Sequence, residues 1–134
     1  MGCDIHTYVE YSYRSQADDT RRHWQCIIQD AGGRDYRWFG RLAGVRTGET
    51  PMFPVRGLPD GDISYIVEDN YKAGEADWHS ASHLSFNELV AAMTAHKLLR
   101  EDGDLGVEWA AIYAAMHALE ARGCDTRIIF WFDN

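Results

Sequence analysis

The chain has 134 residues, 46% of them apolar and 25% charged, which fits a single globular domain (1–134) large enough to bury a core without staples. Thirteen Lys and Arg stand against twenty-one Asp and Glu, a net charge of −8 that argues against a protein coating long nucleic acid. Cys3, Cys26 and Cys124 are an odd count without CxxC spacing, so buried thiols in a reducing compartment are expected. No segment reads as a signal peptide and no apolar run approaches the ~18 residues of a membrane span, so no membrane partner is expected.

Residues 3–13 read as a strand. Ile5, Thr7, Val9, Tyr11 and Tyr13 fall on one face; Asp4, His6, Tyr8, Glu10 and Ser12 fall on the other. Residues 14–22 are polar and turn-like, and 23–29 read as a second strand, so 3–29 suggest a hairpin with a long loop. Asp30-Ala31-Gly32-Gly33 breaks that strand. Residues 35–42 predict a short helix with Tyr36, Trp38 and Phe39 on its apolar face and Gly44 near its end. Residues 44–74 show no clear period and hold Pro51, Pro54 and Pro59, and so long an irregular stretch is expected to be mobile or to line a ligand. Ser85 and Glu88 form a capping box ahead of a helix running to about Arg100. Asp102-Gly103-Asp104 reads as a turn, and 106–122 as an alanine-rich helix stopped by Gly123. Residues 127–133 predict a strand too apolar for an exposed edge, pairing centrally or with the first strand. The sum is an α+β fold: a small antiparallel sheet, made of the N-terminal hairpin and the C-terminal strand, with helices packed on one face.

Three segments carry groups suited to chemistry. The strand period puts Asp4 and His6 on one face, where the carboxylate can orient the imidazole as a general base or share a metal with it. In Asp77-Trp78-His79-Ser80-Ala81-Ser82-His83, a helical turn would put His79 and His83 on one face as metal ligands. A loop there would instead let Ser80, Ser82 and the following helix N-terminus cradle an anion. Arg56 beside Gly57-Leu58-Pro59 can clamp a phosphate, while Asp60 and Asp62 fall short of a calcium loop. His23, His96 and His117 read as surface or core histidines. The basic groups of residues 1–59 are eight arginines against seven acids; residues 60–134 carry five basic groups against fourteen acids. Those arginines either pair with the acidic second half or hold a small anion. The sequence contains no GxGxxG, Walker A, GxSxG or HExxH motif.

The opening Gly2-Cys3-Asp4-Ile5-His6 with Val9-Glu10 resembles a family of short bacteriophage proteins that begin Gly-Cys-Asp-Ile-His. The resemblance continues through Arg34-Asp35-Tyr36, Phe39, Leu42-Ala43-Gly44-Val45-Arg46, Arg56-Gly57-Leu58-Pro59, His79-Ser80-Ala81-Ser82, Leu84-Ser85 and Phe130-Trp131-Phe132-Asp133-Asn134. It covers most of the chain. This sequence has His83 where the family often carries tryptophan, which favours His79 with His6 over His79 with His83. The resemblance implies phage origin and action in the cytoplasm of an infected bacterium, where small phage proteins commonly counter host defence. The leading expectation is a hydrolase cleaving a phosphodiester or related bond, such as a glycosidic one, in a small nucleotide messenger, with Asp4, His6 and His79 converging as catalytic groups or as ligands of a divalent metal ion. Arg46, Arg56, Ser80 and Ser82 would hold the ligand's phosphates, and Tyr8 and Trp78 would stack its base. Two alternatives are a protein that sequesters the messenger without chemistry and an inhibitor that binds a host protein through the acidic half. Self-association into a homo-oligomer is left open.

Overall fold

The computed structural model describes residues 2–19, 22–99 and 105–133, and the turn expected at 102–104 lies outside them. Four strands form one antiparallel sheet: β1 (Ile5–Tyr13), β2 (Gln25–Ala31), β3 (His79–Ser85) and β4 (Cys124–Phe132), in the order β2-β1-β4-β3. β4 is central. It pairs with β1 from Ile5↔Phe132 to Tyr13↔Cys124 and with β3 on its other side. Ile128 through Phe132 are all fully buried, as the unbroken apolar run requires of a strand covered on both faces.

The helices are α1 (Tyr36–Ala43), α2 (Tyr65–Ala73), α3 (Phe86–Leu99) and α4 (Val107–Ala121). Asp35 caps α1 by accepting from the amides of Arg37 and Trp38, and Gly44 ends it at φ 71°, which glycine adopts without strain. The Ser85–Glu88 capping box forms as expected: the Ser85 amide donates to Glu88 at 3.0 Å and the Glu88 amide to Ser85 at 3.2 Å.

Ile5, Val9, Leu84, Ile128, Phe130 and Phe132 project from one face of the sheet into the main core. There they meet Trp38, Phe39 and Leu42 of α1, Leu89 and Ala92 of α3, and Trp109, Ile112 and Met116 of α4. This is the expected helical layer. The opposite face is covered as well: Tyr8, Ile129 and Trp131 bury against Val67 of α2, with Ile63, Ile66, Tyr71 and Trp78 around them. α2 lies inside the stretch that showed no period, capped by Ser64, whose Oγ accepts from the Val67 amide at 3.4 Å.

A buried ion pair fixes α2 to the sheet. Glu10 is fully buried, and its Oε1 accepts from Arg127 Nε at 2.8 Å and Nη2 at 2.7 Å. Its Oε2 accepts from the Ser64 amide at 2.7 Å, while Arg127 also donates to the Asp62 carbonyl at 2.8 Å. The Arg127 guanidinium lies 3.8 Å from the centre of the Trp24 ring. Both carboxylate oxygens of Glu10 and the Nε and Nη2 groups of Arg127 are directed to protein groups, which is what makes the charges tolerable at that depth.

The segment around Arg56 seals the outer edge of β3. The Gly57 amide donates to the Ala81 carbonyl at 2.9 Å, the Arg56 amide to Ser82 Oγ at 3.1 Å, and His83 Nδ1 donates to the Gly57 carbonyl at 3.0 Å. An edge covered in this way cannot template pairing with another chain.

Candidate functional site: a histidine between two carboxylates

His6 enters from β1 on the face it shares with Trp131, its partner in register on β4. Its Nδ1 lies 2.6 Å from Asp30 Oδ1 and its Nε2 lies 2.7 Å from Asp133 Oδ2. Carboxylate oxygens only accept, so both contacts are satisfied together when both ring nitrogens carry protons. Burial pushes the His6 pKa down, but the hydrogen bonds to Asp133 and Asp30 outweigh it and raise it above 6.5. For Asp133, burial pushes the carboxyl up, and contacts with His6, the Asp4 amide and the Arg34 charge more than reverse this, holding it below the ordinary carboxylate value.

Each neighbour arrives by a local backbone feature. Asp30 sits at φ 50° at the end of β2, where the β1–β2 register shifts between Thr7 and Val9. Such bulges commonly re-aim a side chain. Asp133 follows β4 directly: its amide donates to the Asp4 carbonyl at 3.2 Å, and its Oδ1 accepts from the Asp4 amide at 3.0 Å. Trp78 precedes β3, its ring centre 4.8 Å from that of His6, and its Nε1 donates to the Tyr71 carbonyl at 3.0 Å. Gly74 lets this ring in, because a Cβ there would stand 2.2 Å from Trp78 Cζ2. Beside this group opens a cavity of about 560 Å³ lined by Gly2, Ala76, Asp77, Trp78 and Asp133.

The structure redistributes the expected site residues. Asp4 does not orient His6. Its carboxylate is held by Arg34 through contacts of 2.8 and 3.1 Å, and it serves the site only through its backbone. His79 is in register with Phe132 and stacks on that ring, 6.0 Å between centres. Phe132 belongs to the main-core face, under α1, α3 and α4, whereas His6 lies on the face covered by α2, so the sheet separates the two imidazoles. The segment carrying His79 and His83 is strand β3, neither helical turn nor loop, with a bulge at Ser80, whose φ is 55°.

The expected phosphate and base contacts are also taken up elsewhere. Ser80 Oγ is 3.1 Å from His79 Nδ1, and buried Ser82 accepts from the Arg56 amide, so the two serines do not form an anion cradle. Arg56 grips both oxygens of Glu88 at 3.0 and 2.9 Å. Arg46 lies 5.5 Å over Tyr36 and hydrogen-bonds the Cys3 thiol. Arg14 and Arg22 both engage Asp125. Tyr8 is buried and stacked on Trp131 at 4.8 Å, which removes it as a platform for a base; Trp78 remains one.

Among the described residues, no three His, Cys, Asp or Glu side chains are grouped to hold a metal ion. The donor set of Asp4, His6 and His79 does not fit one either. Both ring nitrogens of His6 face carboxylates, both oxygens of Asp4 face Arg34, and His79 is across the sheet.

Sequence reasoning missed Asp30 and Asp133. The first was read as a strand breaker and the second as the end of a strand. The available signal was the pairing of first and last strands, which places Asp133 beside residues 4–6. Family models, characterised proteins and solved structures, when compared with this chain, give no match.

Proposed function

We propose that the protein is a small hydrolase that cleaves a glycosidic bond in a nucleotide-type compound, acting in the cytoplasm of a phage-infected bacterium. The observation that carries this reading is His6 gripped between Asp30 and Asp133, against Trp78, at the rim of a ligand-sized cavity. A ring held between two carboxylates is favoured in its charged form and is placed to donate a proton. As the bond to the base breaks, Asp133 yields His6 Nε2 to the departing atom, which takes its proton, and the freed Asp133 carboxylate stabilises the positive charge growing on the sugar carbon. Water adds its oxygen to that carbon. Its released proton returns to His6 through Asp133, so the site is restored and one water is consumed.

A glycosidic bond suits the site better than a phosphodiester. Phosphoryl transfer needs cations on the phosphate, and Arg14, Arg22, Arg34 and Arg56 are each paired with a carboxylate. The phage setting rests on the resemblance of the sequence. No described helix is long and apolar enough to cross a membrane.

The alternative is sequestration without chemistry. It is favoured by one observation: both His6 nitrogens already have partners, as in a structural ion pair. Incubation with a panel of nucleosides and linear and cyclic nucleotides, followed by denaturation and chromatography, separates the two. A released free base supports the hydrolase, and return of the intact compound supports sequestration. A phosphate-bond product with the base still attached would refute the glycosidic reading.

A further inference from the structure

Asp133 has two tasks in the proposed reaction: it holds His6 Nε2 at rest, and it keeps its place once that nitrogen is released. Its two oxygens divide them. Oδ2 meets His6 Nε2 at 2.7 Å, while Oδ1 accepts from the Asp4 amide at 3.0 Å. The Asp133 amide in turn donates to the Asp4 carbonyl at 3.2 Å, so the backbone of Asp4 holds both the side chain and the main chain of Asp133. Asp4 lies just before the first residue of β1, and its remaining anchor is its own carboxylate. Arg34 grips both oxygens of that carboxylate, Nε on Oδ1 at 2.8 Å and Nη2 on Oδ2 at 3.1 Å, in the planar fork that fixes direction as well as distance. The guanidinium lies over Gly2, where a Cβ would collide with it, and the next residue, Asp35, caps α1. Both members of the Arg34–Asp4 pair are about half exposed, so the pair adds little to stability. What it supplies is direction.

We infer that Arg34 is a positioning residue of this site: its grip on the Asp4 carboxylate fixes the Asp4 amide, and that amide aims the Asp133 carboxylate at His6. The inference rests on the site proposed above for its catalytic consequence, while the aim of Asp133 is a property of the ligand-free protein. The charged groups that face His6 are Asp30 from the end of β2 and Asp133 from the end of β4, with the Trp78 ring against the imidazole. Arg34 acting by charge alone would have the opposite sign. A cation repels the imidazolium, so deleting it through space raises the His6 pKa, whereas loosening Asp133 lowers it.

The test is NMR titration of the His6 ring in the full chain at about 0.15 M salt, where through-space effects of half-exposed charges are screened. Arg34→Met is expected to keep the fold and to lower the His6 pKa by about 0.5 or more. The double variant Arg34→Met, Asp4→Asn removes both charges of the pair together, so the net charge beside the site is unchanged. It is expected to show the same fall as Arg34→Met. Arg34→Lys keeps the charge and loses the fork, and it is expected to restore the wild-type value at most in part. A His6 pKa that rises in Arg34→Met, stays unmoved in the double variant, or is fully restored by lysine overturns the inference. For any nucleoside that the wild type cleaves, Arg34→Met is expected to lower kcat about tenfold and to leave KM within about twofold. Failure here is distinguishable from failure of the hydrolase reading. A lowered His6 pKa in a protein that releases no base upholds the aim of Asp133 and refutes the hydrolase, whereas base release with an unmoved His6 pKa and an unchanged kcat in Arg34→Met refutes only the role of Arg34.

Discussion

Removing the charge of Glu10 while keeping its shape, in Glu10→Gln, leaves the Arg127 guanidinium, only 11% exposed, without its counter-ion. Breaking a buried pair from one side typically costs about 3–5 kcal/mol. A domain of this size is stable by roughly 7–20 kcal/mol, so the variant still folds. With an unfolding entropy near 2.1 cal/mol/K per residue, the loss lowers Tm by about 11–18 °C. The same substitution slackens the Ser64 amide contact that starts α2, and α2 supplies the Tyr71 carbonyl that holds Trp78. Denaturant titration of Glu10→Gln, Arg127→Met and the double variant gives the coupling directly. The double variant is expected to lose at least about 1 kcal/mol less than the sum of the singles, because removing both charges leaves none buried alone. Single losses below about 1 kcal/mol, or strict additivity, would refute the buried pair.

Further outcomes follow from other contacts. Gly74→Ala puts a methyl carbon onto the Trp78 ring. It is expected to displace that ring and to weaken ligand binding while leaving the main core intact, which binding and near-UV circular dichroism can check. His6→Asn is expected to lower turnover by roughly 10²–10⁴ if His6 is the proton donor; a change below fivefold would remove it from that role. For stability against pH, the His6 contacts contribute fully below about 6.5, the unfolded value, and are lost as pH rises through the raised folded value. The Asp133 contacts contribute above about 3.8 and are lost as pH falls through the lowered folded value. The network is therefore strongest between those limits. Unfolding free energies of the wild type minus those of His6→Asn, from denaturant titrations across pH, should show a plateau of about 1–2 kcal/mol there, since Asp30 is well exposed and its contact is screened. Burial pushes the Cys26 thiol up to about 11, so it should react with iodoacetamide at pH 8 far more slowly than a free thiol.

Strong local signals carried most of the fold. The alternation of Ile5, Thr7 and Val9, the apolar run of β4, the capping box at Ser85 and the glycine at 44 each name their own structure without help from the rest of the chain. β3 was hidden because five of its seven residues are His or Ser and the bulge at Ser80 breaks its period. Its identity as a strand comes from β4, which it pairs. α2 carried a readable signal in Ser64 and in the spacing of Ile63, Ile66, Val67 and Tyr71, but the prolines and glycines upstream masked it. The candidate site was half legible. His6 and Trp78 were singled out, whereas the two carboxylates lie 24 and 127 residues from His6, and only strand register and a bulge bring them to its ring. Of the arginines that suggested phosphate, Arg14, Arg22, Arg34 and Arg56 pair with carboxylates, an assignment that composition allowed and only three-dimensional proximity could decide.

The charged state of His6 tests the account most directly. Titration of the His6 ring protons by NMR in the wild type, Asp30→Asn and Asp133→Asn reads it without any ligand. The account predicts a pKa above 6.5 in the wild type that falls in each variant, with the larger fall in Asp133→Asn, whose carboxylate is the more sheltered of the two. A His6 that titrates at or below 6.5 in the wild type, or is unmoved by either substitution, would contradict the carboxylate-held imidazolium on which the proposed chemistry depends.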